Sequence, residues 1–307
     1  MVRGVMRLGA VFPTTEIGSD PIAVRDYAQA AEALGCGRLT AYDHVLGVDH
    51  ADREPALRGP YTHHDPFHEP FVLFGFLAAH TTRIELATGV LVLPQRQTAL
   101  VAKQAAEVDV LSGGRLVLGV GTGWNHVEYT SLGTTFRDRA KRLDDQIAVL
   151  RALWEQELVE HESAFHRIER AGVLPRPQQS IPIWLGGSAE ASLQRAARLG
   201  DGHIFAGNSD RHFAAAARLF EILAEHGRDR QSFGTDMFVD FAEGPEVWHD
   251  RAHRWEQFGG SLLSMRSMTT GTAFLGVPAA ELSGPEQHIA ALEQFVKEMS
   301  EHATSAP

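Results

Sequence analysis

Short apolar, β-rich runs alternate with amphipathic segments along the whole chain, and this alternation is the feature that most restricts its fold. The runs are LGAVF (8–12), RLTAY (38–42), IELATGVLVL (84–93), LVLGVG (116–121), PIWLG (182–186), HIFA (203–206), MFVDF (237–241) and SLLSM (261–265). Between them apolar residues recur at helical spacing. The stripes are Val24, Ala28, Ala31 and Leu34; Val101, Ala105, Val108 and Leu111; and Leu143, Ile147, Leu150 and Trp154. Two more follow, Phe213, Ala217, Phe220 and Ala224, then Ile289, Leu292, Val296 and Met299. Pro21 after Asp20, and Pro245 and Pro285 in Gly-Pro-Glu starts, suit first helical turns. The pattern predicts eight strands and about eight helices in strict order, the number that closes a (β/α)8 TIM barrel. An open Rossmann sheet is the rival, with about six strands.

Loop lengths favour the barrel. Helix-to-strand turns are short, as at residues 35–37, 81–83, 112–115 and 200–202, whereas the strand-to-helix segments 43–69, 122–138 and 266–284 are long. In a barrel these long loops open on the C-terminal face, where active sites are built. The stretch 155–181 falls on the opposite side by this count, and its PRPQQSIP tail reads as an extended surface excursion. With no repeat or low-complexity linker, residues 1–307 read as one α/β domain.

Composition narrows the partners. Apolar residues at 44% and charged residues at 22% furnish a sizeable core, and no apolar run is long enough to predict a membrane span. The start, MVRGVMRLGAVFP, passes from a basic patch into a strand-like run without a secretory cleavage site. Cys36 is the single cysteine, which rules out an intrachain disulfide and fits a cytoplasmic setting. A formal charge of −11 without a Lys/Arg cluster argues against nucleic acid or an anionic membrane, leaving a small molecule as the expected partner.

Four stretches could carry chemistry. GRLVLGVGTGWNHVEY (114–129) imitates a dinucleotide-binding turn, but Gly123 comes one residue early, Trp124 takes the fingerprint's place, and the run is the fourth strand rather than the first. Its glycines either let a flat ring approach the backbone or relieve crowding inside the barrel. AYDHVLG (41–47) sets Asp43 and His44 at a strand mouth, which suits proton transfer, or else holds an ordinary loop histidine. YTHHDPFHEP (61–70) gathers His63, His64, Asp65, His68 and Glu69, but Pro66 interrupts the spacing a metal would need, so no metal is expected there. WLGGSAEAS (184–192) and HIFAGNSD (203–210) each run from strand to helix through glycine. The free amides of such turns attract phosphate, unless Ser188 is a simple helix cap. Asn125, His126 and Glu128 lie nearby, and no motif assigns them a role.

Together DVLSGGRLVLGVGTGWNHVEYTSLG, RAKRLDDQIAVLRALW, PRPQ and PIWLGGS resemble the bacterial luciferase-like oxidoreductases, the branch using the deazaflavin coenzyme F420 in particular. The resemblance implies a (β/α)8 barrel, usually dimeric, and hydride transfer between F420 and a small organic substrate. It places Asp43 and His44 beside the reactive face of the ring, with His44 as proton donor or acceptor. It implies a non-prolyl cis peptide at Gly89-Val90 behind the ring, with Thr88 beside it, and ring-edge contacts at Thr122, Gly123 and Trp124. Gly186, Gly187, Ser188, Ala206 and Gly207 would lie near the cofactor phosphate. An FMN-dependent monooxygenase and a non-catalytic flavin- or deazaflavin-binding protein are the alternatives; a metal hydrolase on a barrel is a more distant one. The sugar-phosphate dehydrogenases of this branch carry a Glu where Trp124 stands, and no arginine cluster for a substrate phosphate is present.

Overall fold

Every one of the eight runs forms a strand in the computed structural model, which describes residues 6–302; the basic start of the chain lies outside the described residues. The strands are β1 (Arg7–Val11), β2 (Arg38–Ala41), β3 (Glu85–Thr88) continuing as β4 (Leu91–Val92), and β5 (Leu116–Gly121). After the hairpin β6 (Val159–Glu162) and β7 (Arg167–Ala171) come β8 (Ile183–Gly186), β9 (Gly202–Phe205), β10 (Gly234–Asp240) and β11 (Leu262–Arg266). All barrel pairings are parallel, in the order β3-β2-β1-β11-β10-β9-β8-β5, and a β3–β5 pairing closes the cylinder. A parallel strand covered on both faces reads as a continuous apolar run, which is why β5 is buried at every position.

The helices are α1 (Pro21–Ala33), α2 (Pro70–Ala78), α3 (Thr98–Ser112), α4 (His126–Ser131) and α5 (Arg139–Glu155). They continue as α6 (Glu190–Leu199), α7 (Asp210–Glu225), α8 (Pro245–Phe258), α9 (Thr272–Leu275) and α10 (Pro285–Glu298). Proline stands at the start of α1, α2, α8 and α10, and the Asp20 carboxylate accepts the Ile22 amide at 2.9 Å to cap α1. Among the described residues no helix is long and apolar enough to cross a membrane.

The stretch 155–181 contains the antiparallel β6–β7 hairpin, folded back on α5, where Asp145 binds His161, Ser163 and His166; the PRPQQSIP tail after it is irregular. Two expectations are corrected. The buried stripe of α7 is Phe213, Ala216, Leu219 and Leu223, whereas Ala224 is exposed and Phe220 lies under the Arg230 guanidinium at 3.6 Å. A run of four alanines allows either stripe, so tertiary packing decides. Leu111 is likewise 62% exposed on α3.

The lower end of the barrel is closed by side chains. The Trp184 indole fills the space left by Gly202 and Gly234, where a methyl group would lie 2.4 and 2.2 Å from the ring. The buried Arg38 guanidinium stacks on that indole at 3.9 Å and pairs with Glu85 at 2.7 Å. This packing fills the N-terminal end of the barrel.

Candidate functional site at the barrel mouth

The chain leaving β2 turns its two polar residues in opposite directions. Asp43 is buried; one carboxylate oxygen takes Arg96 at 2.6 Å and the other accepts the Val92 amide at 2.9 Å. His44 instead meets Glu128 on α4, with Nδ1 3.1 Å from Oε2. The other oxygen of Glu128 accepts the Val45 and Leu46 amides, so one carboxylate fixes both the ring and the loop behind it. Burial opposes the charge on Glu128, but these hydrogen bonds outweigh it and hold the carboxyl below its ordinary range. Asp43 and His44, adjacent in sequence, are thus separate devices: Asp43 anchors the β4 segment, and Glu128 orients His44.

Three aromatic rings enclose His44 edge-on. Tyr61, Phe67 and Trp124 lie with their centroids 5.4, 4.9 and 5.5 Å from the imidazole. Gly59 lets Trp124 settle against the long loop, since a methyl group there would lie 2.2 Å from the indole. His44, Leu46, Val48, Tyr61, Phe67 and Trp124 pack so closely that no room for even a water molecule remains among them. Beneath, Arg266 makes a two-pronged pair with Asp240 at 2.6 and 2.8 Å and reaches the Tyr42 hydroxyl at 3.3 Å.

The alternating glycines of β5 serve the neighbouring strand. The Gly89-Val90 peptide is cis, and the β3–β4 side carries one more residue than β5 between Leu86↔Leu116 and Leu91↔Val120, a bulge. A methyl group at Gly119 would lie 1.8 Å from the Thr88 carbonyl oxygen, at Gly121 2.5 Å from Val90, and at Gly123 2.6 Å from Val92. Gly186 on β8 clears the other side of Val90, at 2.8 Å. Thr88 itself is buried and donates to the Gly119 carbonyl at 2.6 Å. Thr122 presents its carbonyl to the Tyr129 hydroxyl at 2.7 Å. Each of these glycines makes room for a neighbouring residue.

The two glycine turns lie side by side, because β8 and β9 are paired. Gly187 has φ +113, a conformation that favours glycine. Ser188 does not cap α6; the cap is Ala189, which has no side-chain acceptor, so the first-turn amides are left without one. At α7 the Ser209 hydroxyl faces His212 Nδ1 at 2.9 Å instead of the helix amides. His212 packs where a Gly207 side chain would be, and burial lowers its pKa, as does the charge of neighbouring Arg211. Ala206 and Gly207 follow the end of β9. Of the loop histidines, His63 and His64 lie with ring centroids 3.8 Å apart, tilted by 40°, and His68 meets the Gly18 carbonyl at 3.2 Å.

The sequence singles out His44 and notes Glu128 nearby, but does not connect the two. Asn125 accepts the Val127 and Glu128 amides, so the Asn-x-x-Glu spacing looks like a local helix cap, while the Glu128 side chain leaves the helix for residues 44–46. Arg96 carried no signal either.

The family described as luciferase-like monooxygenase matches residues 1–302. An F420-dependent glucose-6-phosphate dehydrogenase of Microbacterium testaceum is 30% identical over 266 residues, covering 84% of this chain and 74% of that protein. A pyrimidine monooxygenase RutA of Rhizobium rhizogenes is 35% identical over 201 residues, 62% and 53% of the two chains. In fold, the crystal structure of monooxygenase RslO1 from Streptomyces bottropensis superposes with a TM-score of 0.73 at 18% identity, covering 97% of this chain and 99% of that one.

Proposed function

The chain belongs to the luciferase-like monooxygenase family, and from that premise we propose that it is an F420-dependent oxidoreductase acting on a small organic substrate at the barrel mouth. The observation that carries the reading is His44 held by Glu128 within an aromatic enclosure. Hydride exchange with an alcohol or carbonyl carbon needs a partner for the hydroxyl proton, and a histidine suits that task near neutral pH. With Nδ1–H donated to the ionised Glu128, Nε2 is the nitrogen left to exchange a proton with substrate. Asp43 positions rather than transfers, holding the Val92 amide while Arg96 balances its charge.

The residues fit a deazaflavin in kind. The uncapped amides at Gly187, Ser188 and α6, with Ala206 and Gly207, suit a phosphate, and Gly89, Val90, Gly123 and Trp124 form an apolar wall for a flat ring. Bound there, the cofactor would supply the hydride chemistry, and the protein the orientation and charge balance. Tyr61 and Phe67, which pack against His44, would have to move aside to admit it. The F420-dependent relative spanning most of the chain supports this choice, and the RutA relative supports an FMN-dependent monooxygenase as second reading. Titration with F420 and with FMN separates the two: saturable F420 binding is expected, and FMN binding without F420 binding would overturn the proposal.

The reading includes a cytoplasmic homodimer without nucleic-acid or membrane partners. Val72 and Phe76 on α2 and Leu100 and Leu111 on α3 leave an apolar face on two adjoining helices, which a second copy would cover.

A further inference from the structure

We infer that the C-terminal end of the fold carries a divalent-cation site formed by His249, Glu301 and His302, a two-histidine, one-carboxylate set suited to Zn²⁺. His249 lies on α8, and the other two belong to the 3-10 turn Met299–Glu301 and the residue after it. His249 Nδ1 is 3.1 Å from His302 Nε2 and 3.4 Å from Glu301 Oε1, and the third side, His302 Nε2 to Glu301 Oε1, is 3.7 Å. Tetrahedral zinc with bonds of about 2.0–2.2 Å separates its ligand atoms by about 3.3–3.6 Å. The observed triangle brackets that spacing, its shortest side also lying within hydrogen-bond range.

The surroundings favour the same assignment. Glu256, two turns along α8, lies 3.1 Å from His302 Nδ1, so this nitrogen carries the proton and the Nε2 lone pair faces the triangle. A carboxylate behind a metal-binding imidazole orients it and raises its basicity. Glu298 stands 3.8 Å from the far nitrogen of His249, beyond hydrogen-bond reach, and adds negative charge beside it. Two neutral imidazoles and one carboxylate leave the ion a net positive charge, which Glu256 and Glu298 offset, and a fourth position for water. The cation would tie the turn after α10 to α8, far in sequence from the His44 mouth and independent of any activity there.

The other cluster of metal-ligating side chains, Asp145 with His161 and His166, has a different geometry. Each histidine takes a separate oxygen of Asp145, at 2.9 and 2.5 Å, and Thr98 meets the remaining nitrogen of His166 at 2.6 Å. That cluster is a hydrogen-bonded clamp for the hairpin and serves as the control.

Protein dialysed against a chelator and titrated with zinc chloride near neutral pH is expected to bind one equivalent per chain, with a rise in melting temperature. His249→Ala and His302→Ala abolish this uptake, Glu256→Gln weakens it by about 10–100-fold, and His166→Ala leaves it intact. Melting curves without zinc establish that each variant is folded. Failure of the wild-type chain to bind zinc, or uptake that survives loss of both His249 and His302, overturns the assignment.

Discussion

His44 and Glu128 lie 84 residues apart in sequence, and their side chains meet at 3.1 Å across the barrel mouth. If His44 exchanges the substrate proton, His44→Ala lowers kcat by about 100- to 10,000-fold in a reduced-F420 oxidation assay. Glu128→Gln keeps the shape but not the charge, so its pH–rate profile moves to lower pH while cofactor affinity holds. Unchanged turnover in His44→Ala would remove the proton-transfer role.

The enclosure around His44 is expected to compete with the cofactor ring. Phe67→Ala and Tyr61→Ala open space at the mouth, and faster F420 association in stopped-flow fluorescence is the predicted result. Slower association would mean that these rings build the binding wall instead of obstructing it.

Gly121 and Val90 can be tested as a pair. Gly121→Ala places a methyl group 2.5 Å from Val90 and costs about 1–3 kcal/mol in chemical denaturation. In a Val90→Ala background the cost is smaller by about 0.5–3 kcal/mol. Strictly additive effects would contradict the proposed steric contact.

Glu32 provides a pH-dependent brace between α1 and the turn before β3. Burial disfavours its charge, but the Arg83, Ile84 and Thr82 amides and the Thr82 hydroxyl outweigh that and lower the pKa to about 2. A depressed carboxyl stabilises the fold above its unfolded value, near 4.5, and the contribution disappears as pH falls toward about 2. The melting-temperature gap between wild type and Glu32→Gln should therefore be full at neutral pH and close with acid. A gap independent of pH would assign the effect to packing.

Val72 and Leu100 are 72% and 51% exposed. Val72→Asp or Leu100→Asp is expected to convert a dimer into a monomer by light scattering; a wild-type monomer would refute the pairing.

The barrel was legible because strands such as β5 are buried on both faces and leave unbroken apolar runs, and because Pro21, Pro245 and Pro285 mark helix starts. The β6–β7 hairpin was not, since HESAFHRIERA is mostly exposed or half-buried and lacks a clean alternation. His44 stood out by residue type and place. Glu128 did not, because its function depends on a chain crossing that no local pattern encodes, and its helix already explained a glutamate there.

The glycines of β5 have a further consequence for assembly of the cylinder. Gly119, Gly121 and Gly123 form a keyway at two-residue intervals, and Thr88, Val90 and Val92 engage it from the strand that closes the barrel. Sliding one strand by two residues would bring Val117 or Asn125 to a position with room only for hydrogen. The joint therefore has a single seating, and a closed barrel whose last joint has one seating has its stagger fixed. That stagger determines the height at which the segments beyond β2 and β5 emerge, and so whether an imidazole on one can reach a carboxylate on the other.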